Sequence, residues 1–422
     1  MSNFTEEQAR AYMHKLLGAM AQAGGSDLFI AADFPPSMKA HGHMQPMASQ
    51  KLTPDVTRML AHAMMNERQR EDFAKEMECN FAISIPEVSR FRVNVFVQQQ
   101  SVGMVIRTIA SEIPNFEKLG LPPVLKDVIM NKRGLVLVVG GTGSGKSTSL
   151  AAMIDYRNRS SAGHIITVED PVEYVHVSQK SLVTHREVGV DTHTWHHALK
   201  NTLRQAPDVI LIGEIRDAET MEHAIAFAET GHLCLGTLHA NNANQTIDRI
   251  INFFPEERRN QLLMDLSANL RSIISQRLVR TEDGKGRKAA IEILINTPTI
   301  AEKIFKGQFQ DIKSIMEKSR ELGMRTFDWA LFELYNEGHI SFEEALRNAD
   351  STNELRLNIK LKSQRGEPAS EATSNLSFDK GPTPEELAAL REEELRKQRE
   401  KRRQMEMEEL ERLKAEKQQA AG

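Results

Sequence analysis

The chain has 422 residues, a formal net charge of −4 and two cysteines, Cys79 and Cys234. This length suffices for two domains, and the near-neutral charge does not favour a broad nucleic-acid-binding surface. Two cysteines exclude a four-cysteine zinc site within the chain and fit a reducing compartment. No apolar run approaches the roughly 20 residues that span a membrane, and the first residues show no signal-peptide pattern, so a cytoplasmic protein is expected.

The N-terminal part of the chain mixes helical and strand patterns. Apolar residues recur at helical spacing over 5–23, with Thr5 as an N-cap and Gly24-Gly25 as a stop. The further predicted elements are a strand at 26–32, a turn at 34–42, helices near 53–65 and 67–77, and strands at 90–100 and 102–109. This mixture predicts a small α+β domain over 1–112, and the prolines of 113–125 predict a linker.

From residue 134 onward, short apolar runs alternate with helical patterns. Strands are predicted in GLVLVVG, HIITVE, DVILIGE and LCLGTL, and helices follow near 146, 194–205, 218–230 and after the last strand. Strands separated in this way by helices predict an α/β domain with a parallel sheet, over 126–285. The chain is predicted to be helical from Pro255 to about Leu278 and again over 299–348, which makes 286–364 a C-terminal helical region.

The end of the chain changes composition twice. Residues 365–384 lose all periodicity and predict a flexible linker. Residues 385–422 are rich in Glu, Lys and Arg and predict a charged helical tail. The tail is either a solvated, charge-paired helix or a docking element, and the absence of a sustained heptad seam favours the first.

The stretch GGTGSGKST matches the phosphate-loop pattern G-x-x-x-x-G-K-[ST] between a predicted strand and a predicted helix. Consecutive backbone amides and the positive end of the helix form an anion site, Lys146 can reach the β- and γ-phosphates, and the Ser147 hydroxyl can ligate Mg²⁺. ATP and Mg²⁺ are therefore the expected cofactors. The predicted nucleotide-binding residues are Gly140, Gly141, Thr142, Gly143, Ser144, Gly145, Lys146, Ser147 and Thr148.

Acidic residues follow two of the predicted strands. Glu214 follows DVILIG, and Glu169 and Asp170 follow IITV, with Glu173 one turn further. Such carboxylates either cap the strand ends or hold Mg²⁺ and orient water beside a phosphate loop. Two of them in one domain favour the second interpretation.

Two histidines bracket the strand LCLGTL, His232 before it and His239 after it. A histidine at a strand end is often a hydrogen-bonded structural residue. It can also contact the γ-phosphate from the edge of the sheet. The residues alone leave these alternatives open for both positions.

The order of these motifs resembles the type II/IV secretion ATPases. The phosphate loop, the acidic box ITVEDPVEY, the Walker B run DVILIGEIRD and the histidine box GHLCLGTLHA follow as they do in that family. The segments RFRVN and SDLFI…PPSM resemble the N-terminal domain of its pilus retraction branch, the PilT/PilU branch, and the resemblance covers roughly residues 5–350. It implies a RecA-like P-loop ATPase core with a PAS-like N-terminal domain.

The resemblance also implies an assembly and roles for single residues. The family forms homo-hexameric rings with the nucleotide between the N-terminal and RecA-like domains, and an arginine of the N-terminal domain completes the site. Arg92 and Arg107 lie at matching positions, with Arg90 close by, although each can instead form a salt bridge at a strand edge. The family roles carried over are water polarisation for Glu169, Mg²⁺-side ligation for Glu214 and nucleotide sensing for His239, beside Lys146. Gly213 agrees with a Walker B run that lacks an Asp before its Glu.

Two departures from PilT bear on the function. The segment TIAEKIFKGQ (299–308) replaces a charged helix that is tied to retraction in PilT, and PilT lacks a long charged tail. The expected function is an ATP-hydrolysing motor subunit that promotes type IV pilus retraction with a PilT-like ATPase, at the inner-membrane pilus platform protein. The alternative is a non-motor accessory ring that docks on a PilT-like hexamer. A nucleic-acid translocase is disfavoured because the chain has no basic stripe.

Overall fold

The computed structural model describes residues 5–40, 43–109 and 113–365. The chain divides into two units, Met1–Asn358 and Ile359–Gly422, and both β-sheets belong to the first. The second unit is described only over 359–365. The predicted tail, and the predicted flexible linker apart from Arg365, lie outside the described residues.

The first sheet is antiparallel, with six strands in the order β3-β2-β1-β6-β5-β4. Its elements are α1 Glu6–Gln22, β1 Asp27–Ile30, β2 Ser37–Ala40, β3 His43–Pro46, α2 Pro54–Met64, α3 Glu67–Glu76, β4 Glu78–Ile85, β5 Ser89–Gln98 and β6 Ser101–Ile109. One hydrophobic core joins these helices to the sheet, with Leu17, Leu60, Phe91 and Ile106 fully buried. The predicted α+β character of this part is confirmed.

Local signals predicted the first helix well and the strands less completely. Thr5 Oγ1 accepts a hydrogen bond from the Gln8 amide at 3.2 Å, which closes a capping box at the start of α1. The turn predicted at 34–42 is wrong over Ser37–Ala40, because this segment pairs with β1 as strand β2. Strand β4 was missed, although buried Cys79 and Phe81 alternate there with exposed neighbours at the strand period.

The segment predicted as a linker over 113–125 is partly packed. It contains helix α4 Phe116–Leu119 and the start of helix α5 Val124–Ile129. Phe116, Leu121 and Leu125 are buried in one of the two cores that cover the second sheet. The prolines therefore shape a packed connection.

The second sheet has seven strands in the order β13-β12-β7-β11-β10-β8-β9. Six pair in parallel, and β13 pairs antiparallel to β12. Alternate residues of β7 lie in two separate hydrophobic cores, so both faces are covered, as expected of a parallel sheet. The predicted RecA-like α/β core is confirmed. Its elements are β7 Gly134–Val139, α6 Lys146–Ser160, β8 Gly163–Glu169, β9 Ser181–Glu187, α7 Trp195–Thr202, β10 Val209–Ile212, α8 Ala218–Glu229, β11 Leu233–Leu238, α9 Ala243–Asn252, α10 Arg259–Asn269, β12 Leu270–Arg280 and β13 Arg287–Ile295.

The helix predicted from Pro255 to Leu278 is wrong in its second half. Helix α10 ends at Asn269, and the chain continues directly as β12, between β7 and β13. Ile273 and Ile274 are both buried because β12 is covered on both faces. Periodicity cannot distinguish such a strand from a buried helix. Strand β13 also lies within the region predicted to be helical.

The C-terminal helical region consists of short helices separated by turns. They are α11 Pro298–Phe305, α12 Ile312–Lys318, α13 Phe327–Asn336, α14 Phe342–Asn348 and α15 Thr352–Lys362. The prediction of C-terminal helices is confirmed. None of the helices in the described part of the chain combines the length and the apolar character needed to cross a bilayer.

We expect Ile273→Ala to lower the free energy of unfolding by about 2–5 kcal/mol, because it leaves a cavity in the core that covers one face of β12. Met264→Ala, on the exposed side of α10, is the matched control and should change it by less than about 1 kcal/mol. Urea denaturation followed by circular dichroism measures both. Equal losses would contradict the placement of β12 inside the sheet, between β7 and β13.

Candidate active site

The phosphate loop joins β7 to α6 and depends on two glycines. Gly140 and Gly145 have φ of 155° and 86°, values that favour glycine. A Cβ at Gly140 would lie 2.5 Å from the carbonyl oxygen of Gln276, and one at Gly145 would lie 2.8 Å from its Nε2. Side chains at these positions would push the loop away from β12, so glycine keeps the backbone both compact and accessible.

The first turn of α6 provides an anion site. Its N-cap, Gly145, offers no side-chain hydrogen bond to the helix, so the amides of the first turn remain available to a ligand. Lys146 Nζ donates to the carbonyl oxygens of Gly140 and Gly141 at 2.9 and 3.1 Å, which holds the ammonium across the loop. Burial lowers the pKa of Lys146, and the carboxylates of Glu214 and Glu173 partly oppose this change.

Gln276 on β12 holds the phosphate loop in place. Its Oε1 accepts a hydrogen bond from Ser149 Oγ at 2.7 Å, and its Nε2 donates to the carbonyl oxygen of Ser144 at 2.8 Å. All three interacting groups are buried. Sequence reasoning missed Gln276, because it belongs to no motif and lies in a segment predicted to be helical.

A cleft of about 530 Å³ opens above the loop. Groups from both sheets line it. The second sheet contributes the loop itself together with Glu169, Glu173, Glu214, Arg216 and His239, whereas the first sheet contributes Arg92. Sequence reasoning also missed Arg216, Trp195 and Arg287, which line the same cleft outside the phosphate-loop, carboxylate and histidine positions.

Glu169 ends β8 at the floor of this cleft. Burial raises its pKa to about 7, and the nearby charges of Glu173 and Glu187 add to the rise, while hydrogen bonds from Thr167 and the Glu173 amide oppose it. The Glu173 amide lies 3.4 Å from Glu169 Oε2. A carboxyl group with a pKa near 7 is suited to accept a proton at neutral pH.

Glu214 follows β10 and lies between the side chains of Arg216 and His239. Arg216 donates to its Oε2 at 2.6 Å, and His239 Nε2 lies 3.1 Å from its Oε1. Burial raises the pKa of Glu214, but the hydrogen bond from Arg216 and the charges of Arg216, His239 and Lys146 outweigh it and lower the pKa. Glu214 therefore remains a carboxylate.

The two histidines of the histidine box lie at opposite ends of β11. His239 follows the strand at the cleft, whereas His232 precedes it and contacts the Thr230 hydroxyl at 3.1 Å and the Phe227 carbonyl oxygen at 3.2 Å. The structure therefore brings His239 to Glu214 and keeps His232 away from the cleft.

The three candidate arginines occupy different environments within one subunit. Arg92 on β5 reaches the cleft. Arg107 on β6 donates to Asp27 at 2.8 Å within the first sheet and is not among the cleft residues. Arg90 forms a hydrogen-bonded ion pair with the buried Glu187 on β9, which links the two sheets. Arg90 and Arg107 thus both form salt bridges within the chain, as the alternative interpretation expected.

Comparison with known proteins places the chain in a family. The profile described as Type II/IV secretion system protein matches residues 6–347. The chain belongs to this family. Among its type II/IV secretion relatives, it is 57% identical to the type IV pilus ATPase PilU of Pseudomonas aeruginosa over 86% of this chain and 96% of the relative. It is 44% identical to the retraction ATPase PilT of the same organism, over 79% and 97%. The predicted PilT/PilU branch is confirmed.

Solved structures of this family have the same fold. The pilus retraction motor PilT with bound ADP superimposes with a TM-score of 0.75 at 40% identity, covering 82% of this chain and 98% of PilT. The ATPase DotB of Legionella pneumophila superimposes with a TM-score of 0.71 at 25% identity, covering 82% and 96%.

We expect Gln276→Ala to raise the dissociation constant for ADP roughly tenfold, because the loop loses two buried hydrogen bonds whose loss costs about 1–3 kcal/mol. Isothermal titration of ADP measures this change. Gln261→Ala, which removes an exposed hydrogen bond to Asp265, is the control and should leave affinity unchanged. Wild-type affinity in Gln276→Ala would show that the loop holds its shape without β12.

Proposed function

We propose that the chain is a Mg²⁺-dependent ATPase of a homo-hexameric ring that promotes type IV pilus retraction together with a PilT-like ATPase. The observation that carries this proposal is the cleft, which gathers Lys146, Glu169, Glu214, His239 and Arg92 around a phosphate loop. The names of the relatives, which are pilus ATPases, supply the process. The ring would act in the cytoplasm, against the pilus platform protein of the inner membrane.

The residues beside the phosphate loop fit a magnesium ion. Ser147 and Glu214 offer oxygen donors, and Glu214 keeps its negative charge, which suits a hard divalent cation. These two residues would hold Mg²⁺, which supplies charge neutralisation at the β- and γ-phosphates when bound.

Four other residues of the cleft have roles in hydrolysis. Glu169 accepts a proton from the attacking water and orients it toward the γ-phosphate. Lys146, released from its loop carbonyl contacts, neutralises charge on the β- and γ-phosphates. Arg92 provides a guanidinium for the developing phosphate charge, and His239 senses the γ-phosphate beside Glu214.

The division of the cleft between two sheets provides a route from chemistry to motion. Arg92 lies on the first sheet, and the other groups belong to the second. A bound triphosphate attracts Arg92 and so holds the sheets together, and loss of the γ-phosphate weakens that attraction. Hydrolysis then changes the angle between them, as in hinge closure around ligands.

A second candidate function is an accessory ring that docks on a PilT-like hexamer without generating force itself. The observation that favours it is the segment 299–308, which forms most of α11 and differs from the charged helix of PilT. Its lysines are paired locally, Lys306 with Glu302 and Lys303 with Asp311. Retraction restored by this chain in cells that lack the PilT-like ATPase would exclude the accessory role.

Lys146→Ala tests the proposed activity. The purified variant should lose ATP hydrolysis by at least about a hundredfold, because the phosphate loop loses its only lysine. Cells that carry it in place of the wild-type chain should show reduced pilus retraction, measured by twitching on a surface. Lys180→Ala, in the loop before β9 and outside the cleft, serves as control. Full ATPase activity of Lys146→Ala would refute the proposal.

The pKa of Glu169 predicts the pH dependence of hydrolysis. Because the carboxylate form accepts the proton, kcat/KM should fall as the pH is lowered through about 7. Glu169→Gln should lower kcat by about 10²–10⁴-fold and abolish this limb. Glu173→Gln keeps Glu169 but removes a charge that raises the pKa of Glu169. The acidic limb of the kcat/KM profile of this variant should therefore move to lower pH. An unchanged limb in Glu169→Gln would assign the titration to another group.

A further inference from the structure

Three side chains outside the nucleotide cleft form a cluster with metal-ligand chemistry. His196 lies on α7, and Glu219 and His223 lie on α8. One ligand atom from each lies within 4.8 Å of the other two. None of the three lines the cleft, and the proposed function uses none of them.

The two helices hold these side chains in a defined arrangement. Glu219 and His223 are four residues apart, so they lie on one face of α8, one turn from each other. His196 Nδ1 contacts Glu219 Oε1, and the rings of His196 and His223 are 6.1 Å apart. Leu199 on α7 and Met221 on α8 are buried in the core and anchor the two helices. A site built on two packed helices is more precise than one on loops.

The chemistry of the cluster matches a borderline divalent cation. Two imidazoles and one carboxylate are the ligand types that zinc takes in open sites with three protein ligands. Imidazole also suits nickel and copper, whereas magnesium and calcium prefer oxygen ligands alone. His196 and Glu219 are about half exposed, so their side chains can turn and exchange their mutual contact for bonds of about 2.0–2.2 Å to an ion.

We propose that His196, Glu219 and His223 bind a divalent cation of the zinc class, with a fourth position open to water. Such an ion cross-links α7 and α8 beside the nucleotide cleft. Helix α7 starts at Trp195, and α8 starts two residues after Arg216, and both of these residues line the cleft. This site does not depend on the proposed function, because its evidence lies outside the catalytic residues.

Neighbouring histidines provide matched controls. His193 and His197 are exposed and belong to the same patch, with their rings 6.2 Å apart, but neither is part of the three-residue cluster. A diffuse histidine surface would use all of these histidines alike. Of the four histidines, a built site would depend on His196 and His223 alone.

The test is equilibrium dialysis of the full chain, free of nucleotide and treated with chelator, against zinc chloride. Wild type should bind one zinc per chain that His196→Gln and His223→Gln lose, with the dissociation constant raised at least about tenfold. His193→Gln and His197→Gln should stay within about twofold. Zinc bound elsewhere, including at the phosphate loop, is common to all variants and cancels in the comparison.

A second measurement needs no variant. Cobalt chloride added to the wild-type chain should give intense visible absorption bands of a four-coordinate site, and zinc should displace them. The thermal unfolding temperature of wild type should rise with zinc, since an ion bound only to the folded state stabilises it.

Equal zinc losses in all four histidine variants, or no binding by wild type above the His196→Gln/His223→Gln double variant, would overturn the proposal.

Discussion

The negative charge of a bound triphosphate is the constraint on which the site depends. The cleft that receives it is already lined by four acidic residues, Glu169, Asp170, Glu173 and Glu214, so positive groups must be gathered from several directions. The amides at the start of α6 and Lys146 come from the second sheet. Arg92 comes from the first. In the proposed mechanism, Arg92 reaches the nucleotide only when the two sheets face each other across it, and this couples binding to their arrangement.

The parallel topology of the second sheet brings the residues of the site together at one edge. Because parallel strands end at the same edge, the chain gathers there the phosphate loop after β7, Glu169 after β8, Glu214 after β10 and His239 after β11. Strand β12 stabilises the phosphate loop at this edge, because its Gln276 holds the loop through two buried hydrogen bonds. Their local environments give the two carboxyl groups different pKa values. Burial raises the pKa of Glu169 to about 7, whereas neighbouring cations lower that of Glu214.

The features predicted from the sequence are those with local chemistry. The phosphate loop has a fixed spacing, and strand-end carboxylates follow apolar runs, so Lys146 and Glu214 could be recognised without a structure. Features that depend on tertiary contacts could not. The apolar residues of strand β12 have a spacing that also fits a helix. Only the pairing with its neighbours β7 and β13 shows that it is a strand. Arg107 matches a family position, yet its partner Asp27 lies far away in sequence.

Steady-state ATP hydrolysis by Arg92→Lys and Arg107→Lys tests most directly whether the first sheet completes the site through Arg92. Lysine keeps the positive charge but lacks the planar fork that a transferring phosphate uses. Arg92→Lys should lower kcat by at least about a hundredfold, since such arginines contribute about 10³–10⁵ in other phosphate-loop enzymes. Arg107→Lys should keep its pair with Asp27 and remain within severalfold of wild type. The reverse order of the two variants would show that Arg92 does not complete the site.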